Sequence, residues 1–433
     1  MADPADLPVA PSPEAVGFDS GRLARLDAYM AEMVQTGQVA GTSTLLMRHG
    51  QVVAFTTQGK ADLASDAPLG RDALFRIYSM TKPITGVALM ILFEEGRWSM
   101  DDPITRFLPE LQGLKVFAGL DADRNLLTTD AVRSPTMREL LSHTAGFGYG
   151  LFDVHPVERA YRDAGVLQAD SLDDLASRIA TLPLHFQPGG EWFYSVATDL
   201  QGLIVERISG QSFGDFLQTR IFDPLGMVDT GFQTRSDNVD RLAAIYCDDG
   251  AGGLKPATEA FDMPINDFTR PPRFDSGGGG LVSTATDYAR FCQMILNRGA
   301  LNGVRILSPV AVALMGTNVV PDAVLAVANP MRLLPFNPAF GFGLDFAVAL
   351  DPRRLGMVEG RGTLSWGGGG GTWFWIDPEN EIVFVGLIQR MADPVSSAFR
   401  NRARTFVYQA LTQPEKNRRA ARSASRGNDH EPV

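Results

Sequence analysis

The chain has 433 residues, of which 45% are apolar and 21% charged, and a formal net charge of −11. That is the composition of an ordinary globular protein, long enough for one large or two interlocked domains. The negative balance argues against nucleic acid and anionic membrane surfaces as main partners. No run of about 18 apolar residues occurs, so no membrane span is expected. The first residues, Met1 to Asp6, lack the basic and apolar regions of a secretory signal. Cys247 and Cys292 are the two cysteines. They read as separate free thiols, and no Cys/His spacing suggests a metal site. A cytoplasmic protein is the expectation.

Residues 1–16 are rich in Pro and Ala and read as an extended arm. Ser20 is a candidate cap for a helix from Gly21 to Thr36, with Leu23, Leu26, Tyr29 and Met30 on one side. Thr42–Met47 and Gln51–Phe55 read as two strands joined at His49-Gly50, where His49 is a turn residue without a catalytic role. Apolar residues at helical spacing (Ile84, Val87, Ala88, Ile91, Leu92) predict a helix from Met80 to about Gly96, with Pro83 in its first turn. A short helix ends near Leu108. From about 111 to 274, segments such as Thr136–Leu141, Leu172–Leu182 and Thr198–Ile208 predict helices between Gly/Pro/Asp-rich loops, with few strand-like runs. The run Gly277–Gly280 leads to a helix at Asp287–Asn297; without a following Lys-Ser/Thr it is no phosphate loop. Thr372–Ile376 and Ile382–Ile388 predict a hairpin, and Ser397 to about Leu411 a last helix. The tail 414–433 is polar and basic and is expected to be disordered.

These elements predict an α+β protein: an antiparallel sheet flanked by helices, built from 17–110 and 275–413, with a mainly helical domain, 111–274, inserted.

Ser79 stands at the start of the Met80 helix, where the dipole favours negative charge on its oxygen, and Lys82 rises on the same face three residues later. Alone, a Ser-x-x-Lys tetrapeptide at a helix start is usually a cap. Two other stretches change that reading. Pro188-Gly189-Gly190 feeds an aromatic run ending on Tyr194, and a phenol near an ammonium ionises more easily and can take a proton from serine. Trp366 opens a run of five glycines, Gly367–Gly371, before a predicted strand. So much glycine weakens a strand, which calls for a bulge or for substrate lying against bare backbone.

Ser79-Met80-Thr81-Lys82, Tyr194-Ser195-Val196 and Trp366-Gly367-Gly368, in this order and spacing, resemble the three signature motifs of the serine β-lactamase and penicillin-binding-protein superfamily. The sequence is most similar to the family VIII carboxylesterases within it. The flanks Leu140–Gly146, Asp223–Met227 and Gly277–Thr284 agree, so the resemblance runs from about residue 15 to 412. It implies a serine β-lactamase-like fold and a serine hydrolase (EC 3.1.1) that cleaves small carboxylic esters. Ser79 would be the nucleophile, Lys82 with Tyr194 the general base, and the N–H groups of Ser79 and Gly369 the oxyanion hole. No metal or organic cofactor is implied, and a homo-oligomer is compatible with it. Val196 stands where β-lactam-specialised relatives carry Asn, and Trp366 where they carry Lys or His. Neither can hold a substrate amide or carboxylate as those residues do, which favours a neutral ester. Trp366, Gly367, Gly368, Val196, Tyr149, Phe147 and Trp192 are the expected pocket residues.

Gly210-Gln211-Ser212-Phe213-Gly214 matches the α/β-hydrolase elbow but follows a predicted helix instead of a strand, and the only histidine after it is His430 in the tail. His143 reads as a residue that holds a turn by hydrogen bonds. The competing functions are a β-lactamase, D-amino-acid peptidase or acyltransferase of the same superfamily, and a catalytically silent binding protein on the same fold.

Overall fold

A computed structural model describes residues 7–152, 154–260, 263–326, 339–391 and 394–414. Its centre is one antiparallel sheet of eight strands: β1 (Gly41–Arg48), β2 (Gln51–Asp62), β3 (Ala67–Pro68), β4 (Phe340–Phe342), β5 (Ala347–Ala349), β6 (Leu364–Gly367), β7 (Trp373–Asp377) and β8 (Ile382–Leu387). The spatial order is β4-β5-β6-β7-β8-β1-β2-β3, so the two ends of the chain meet where β1 pairs with β8. Met47 lies opposite Val383, and Ser43 opposite Leu387. The β1–β2 turn uses His49 and Gly50, both at positive φ (53° and 75°), as a two-residue hairpin requires.

Side-chain alternation along the central strands divides the core in two. Phe374, Ile376, Val383 and Val385 point to one face and pack with α2 (Thr81–Glu94) and α4 (Ala285–Leu296). Trp373, Trp375, Ile382 and Phe384 point to the other and pack with α1 (Ser20–Gln35) and α5 (Pro394–Gln409) through Leu26, Tyr29, Phe399 and Ala403. The result is helix on both sides of the sheet. α1 is capped by Asp19, whose carboxylate accepts from the Arg22 N–H at 2.7 Å, and not by Ser20.

α2 is buried from Thr81 to Leu92, which explains why its residues are apolar on nearly every side. It contacts α3 (Ala197–Ser209), the main helix of the segment between the two parts of the sheet. That segment holds more β-structure than its sequence suggests. Lys115–Leu120 pairs with Leu126–Asp130, Tyr246–Asp248 with Leu254–Pro256, and Glu259–Ala260 with Met263–Pro264. Leu126–Asp130 has no fully buried residue, so no core face imposes the alternation by which strands are recognised. Of the N-terminal arm, Val9 bridges to Val52, and Glu14–Val16 forms a 3-10 turn. The expected disordered tail lies, from residue 415 onward, outside the described residues. No helix among the described residues is long and apolar enough to cross a membrane.

Candidate active site

Ser79 sits in a 3-10 turn, Tyr78–Met80, that runs directly into α2. The residue before it, Tyr78, is held at φ 44°, a conformation that costs energy for a bulky side chain. The turn is anchored from three directions. Phe75-Arg76 pairs with Val282-Ser283, the Ile77 N–H donates to the Leu281 carbonyl (3.0 Å), and the Tyr288 hydroxyl donates to the Met80 carbonyl (2.8 Å).

Lys82 is 1% exposed. Its Nζ donates to the Gly278 carbonyl at 2.6 Å, to the Tyr149 hydroxyl at 3.0 Å and to Ser79 Oγ at 3.4 Å. It also lies 4.4 Å from the ring centroid of Tyr194, a cation–π contact. The Tyr194 hydroxyl is buried and has no hydrogen-bond partner among the described residues. The predicted trio therefore does come together, with Tyr149 as a fourth member. Tyr149 was expected to line the pocket, and its phenol touches the lysine. Burial pushes that phenol well above its ordinary range, and Tyr194 and Asp199 add to the shift, so Tyr149 is neutral at physiological pH.

Tyr149 owes its position to Glu158 on the helix Pro156–Asp163. The fully buried Glu158 carboxylate accepts the N–H groups of Tyr149 (2.7 Å) and Gly150 (3.0 Å) and lies 3.2 Å from His185 Nε2. Tyr194 is placed by a second loop zipped to the first: the Phe193 N–H donates to the His143 carbonyl (2.9 Å) and the Val196 N–H to the Gly148 carbonyl (3.1 Å). His143, at φ 58°, is fully buried, with Nδ1 3.3 Å from Ser195 Oγ and its ring 5.0 Å from that of Tyr194. Burial first, and the Lys82 charge second, hold its imidazole well below its usual pKa and therefore neutral. It holds a turn, as the sequence suggests, and also packs against the tyrosine.

Two buried acids complete the surroundings of the lysine. Asp199 accepts from Ser276 Oγ (2.5 Å) and the Gly278 N–H (3.0 Å), and Asp345 from the Gln201 side chain (3.3 Å). Burial raises the pKa of both carboxyls, and the Lys82 charge opposes the rise in each. The Gly277–Gly280 turn, read only as a lead-in to a helix, thus supplies the lysine's nearest acceptor. A Cβ on Gly278 would lie 2.6 Å from Asp199 Oδ2, so any larger residue must push that carboxylate away.

The second glycine run closes on Ser79 from the sheet. A Cβ on Gly368 would collide with the Ile77 carbonyl oxygen, and one on Gly370 would come 2.9 Å from the Tyr78 ring. These glycines allow β6 and the turn after it to lie against the Ser79 turn, backbone to backbone. The Gly368 N–H is used by the Thr372 carbonyl (2.8 Å) and that of Gly371 by Gly368 (3.0 Å). Trp366 is half-buried, 5.4 Å from the Tyr194 ring and 5.4 Å from Phe342, with no hydrogen bond to its indole N–H among the described residues. Trp192 stacks on Tyr194 at 6.3 Å. Phe342 joins this aromatic group, and nothing in its sequence surroundings singles it out. Phe147 and Val196 do not line a pocket: both are fully enclosed in the core and offer no accessible surface. Ser212 is far from this chemistry in role. It caps the helix Phe213–Leu217, accepting the Asp215 N–H at 3.1 Å. Among the described residues no cluster of three or more His, Cys, Asp or Glu could hold a metal ion.

A serine on a buried lysine, a tyrosine at the lysine and a glycine-lined strand beside the serine define a serine β-lactamase-like protein. Comparison with known proteins agrees: the Beta-lactamase family model matches residues 26–409, and the chain belongs to that family. It is 38% identical to Protein Rv1367c of Mycobacterium tuberculosis, over 84% of this chain and 90% of that protein. It is 31% identical to esterase EstB of Burkholderia gladioli, over 84% of this chain and 89% of the esterase. Among solved structures it is similar to EstCE1, "a hydrolase with promiscuous acyltransferase activity". The TM-score is 0.74 at 28% identity, with 90% of this chain and 99% of that one covered.

Proposed function

We propose that the chain is a serine carboxylesterase of the family VIII type that hydrolyses small neutral carboxylic esters through an acyl-enzyme on Ser79. The observation that carries this reading is the contact of Lys82 Nζ with both Ser79 Oγ and the tyrosine pair. In the active form, Lys82 and Tyr194 together hold one proton fewer than an ammonium and a phenol. The Ser79 proton passes to that pair as Oγ attacks the ester carbonyl, and charge on the carbonyl oxygen is met by the N–H groups of Ser79 and Gly369. Collapse breaks the C–O bond, and the stored proton goes to the departing alkoxide. Water then repeats the cycle and frees Ser79. Trp366 offers an apolar face and no cation, which suits a neutral ester, and Phe342 supports that indole from behind.

Acyl transfer is the second reading, supported by the likeness to EstCE1. It needs only that an alcohol replace water in the second half.

The test is brief exposure to p-nitrophenyl butyrate and, separately, to a fluorophosphonate, followed by peptide mapping. A single adduct on Ser79 with catalytic release of p-nitrophenol is expected. An adduct on Ser212, or no adduct and no turnover, overturns the proposal.

A further inference from the structure

Arg400, on α5, lies on the far side of the sheet from α2 and reaches back to the glycine run. Its guanidinium is pressed against Gly367: a Cβ there would lie 2.8 Å from Arg400 Cζ. One Nη donates to the Gly368 carbonyl at 3.4 Å, and its Nε is buried without a hydrogen-bond partner. Among the described residues Arg400 makes no ion pair, whereas its neighbour Arg404 is paired with the buried Glu359 at 3.2 Å. Burial, with the Arg404 charge second, lowers the Arg400 pKa to about 10, which still leaves it charged at neutral pH. Arg400 is thus a half-buried cation whose inner edge, at Nε and the glycine run, is dry and has no counter-ion among the described residues.

The Gly368 carbonyl and the Gly369 N–H are the two poles of one peptide group, and in a trans peptide they point in opposite directions. We propose that Arg400 is a positioning residue that polarises the Gly368–Gly369 peptide, so that the Gly369 N–H becomes a stronger donor to the oxyanion formed on Ser79. A charge-assisted bond at one pole strengthens a bond made at the other. The effect is greatest when the substrate oxygen carries a full charge, so Arg400 acts on turnover more than on substrate binding. A side chain at Gly367 would displace the guanidinium from this place. The proposal rests on the reading of Gly369 as an oxyanion donor.

The experiment uses 1,1,1-trifluoro-2-heptanone labelled with 13C at its carbonyl, which adds to a nucleophilic serine as a hemiketal whose oxygen mimics the oxyanion. The 13C shift is followed against pH for the wild-type protein and for Arg400→Met, Arg400→Gln and Arg400→Lys. The midpoint of hemiketal ionisation should rise by roughly one pH unit in the Met and Gln variants and stay near wild type in the Lys variant. With an ester substrate, the two neutral variants should lose about tenfold in kcat with little change in KM. Equal midpoints in wild type and in whichever neutral variant folds overturn the role of Arg400. No adduct on Ser79, or an adduct that never ionises in the wild type, instead overturns the site reading on which it rests.

Discussion

The Lys82 ammonium lies 3.0 Å from the hydroxyl of Tyr149, closer than the 3.4 Å that separates it from Ser79 Oγ. A lysine placed in this way shares its donors between Ser79 and a tyrosine that the signature motifs do not contain. Tyr149 and Tyr194 stand edge to face, 5.3 Å apart, so the lysine meets one phenol through its oxygen and the other through its ring. Their roles should be separable.

Tyr149→Phe removes the oxygen that orients the lysine and keeps the ring. It should lower kcat for p-nitrophenyl butyrate by roughly tenfold, against about a hundredfold or more for Tyr194→Phe. Steady-state kinetics on the two variants measures both. A Tyr149→Phe enzyme as fast as wild type would show that the 3.0 Å contact is idle.

Gly368→Ala drives a methyl into the Ile77 carbonyl, a backbone atom in the turn that presents Ser79. The strand must retreat, and a small retreat misplaces any oxyanion donor beyond it. A loss of at least about a hundredfold in kcat/KM is expected. The control is Gly356→Ala, where a Cβ meets nothing within 4 Å and only the αL backbone is penalised. Equal activity in the two variants would disprove the close-approach argument.

Ser212→Ala tests the elbow-like motif. The serine is a helix cap, so its loss should cost about 1 kcal/mol of stability and leave kcat unchanged. Thermal melting reads the first and ester turnover the second. Loss of turnover in a folded variant would bring Ser212 back as a nucleophile.

Asp287, in the first turn of α4, accepts the Asp229 N–H (2.8 Å) and the Thr230 hydroxyl (3.0 Å), yet burial raises its pKa from 3.8 to about 6. Between those two pH values the folded state holds the proton and the unfolded state has released it. Stability from this group is therefore greatest below the lower value, falls as pH rises through the window, and levels off above the upper one. The total is on the order of 3 kcal/mol. Asp287→Asn abolishes the titration, so melting of the two proteins at pH 4 and pH 7 should shift in favour of Asn at the higher pH. A gap that does not change with pH would show that the carboxyl is ionised throughout.

The meeting of Ser79, Lys82 and Tyr194 was legible because each sits in a motif of fixed spacing. The helices α2 and α3 and the hairpin β7–β8 were legible because each is buried on nearly every side and so reads as a sustained apolar run bounded by turn residues. The carbonyl of Gly278 was not, since a backbone oxygen leaves no mark on the sequence beyond the glycine that admits it. Glu158, Asp345 and Arg400 were missed for another reason. Each is a charged residue that looks solvent-facing by type, and only the fold reveals what it is packed against. Phe147 and Val196 mark the opposite error: proximity in sequence to a motif does not decide which way a side chain turns. The likeness to the β-lactamase superfamily read from three motifs is borne out by the family match and by the fold.

The pairing of β1 with β8 also has a consequence for the order of assembly. The serine turn is made within the first 80 residues, while the strand that closes over it ends at Gly367 and is held in place by β7 and β8, which end at Leu387. Contacts of such sequence separation form late, after the entropy of closing a very long loop has been met. A growing chain therefore carries Ser79 for most of its synthesis beside a sheet that lacks its second half. Until the last strands arrive, Ser79 has neither its aromatic wall nor the glycine backbone beside it, and the site is incomplete until synthesis is nearly done.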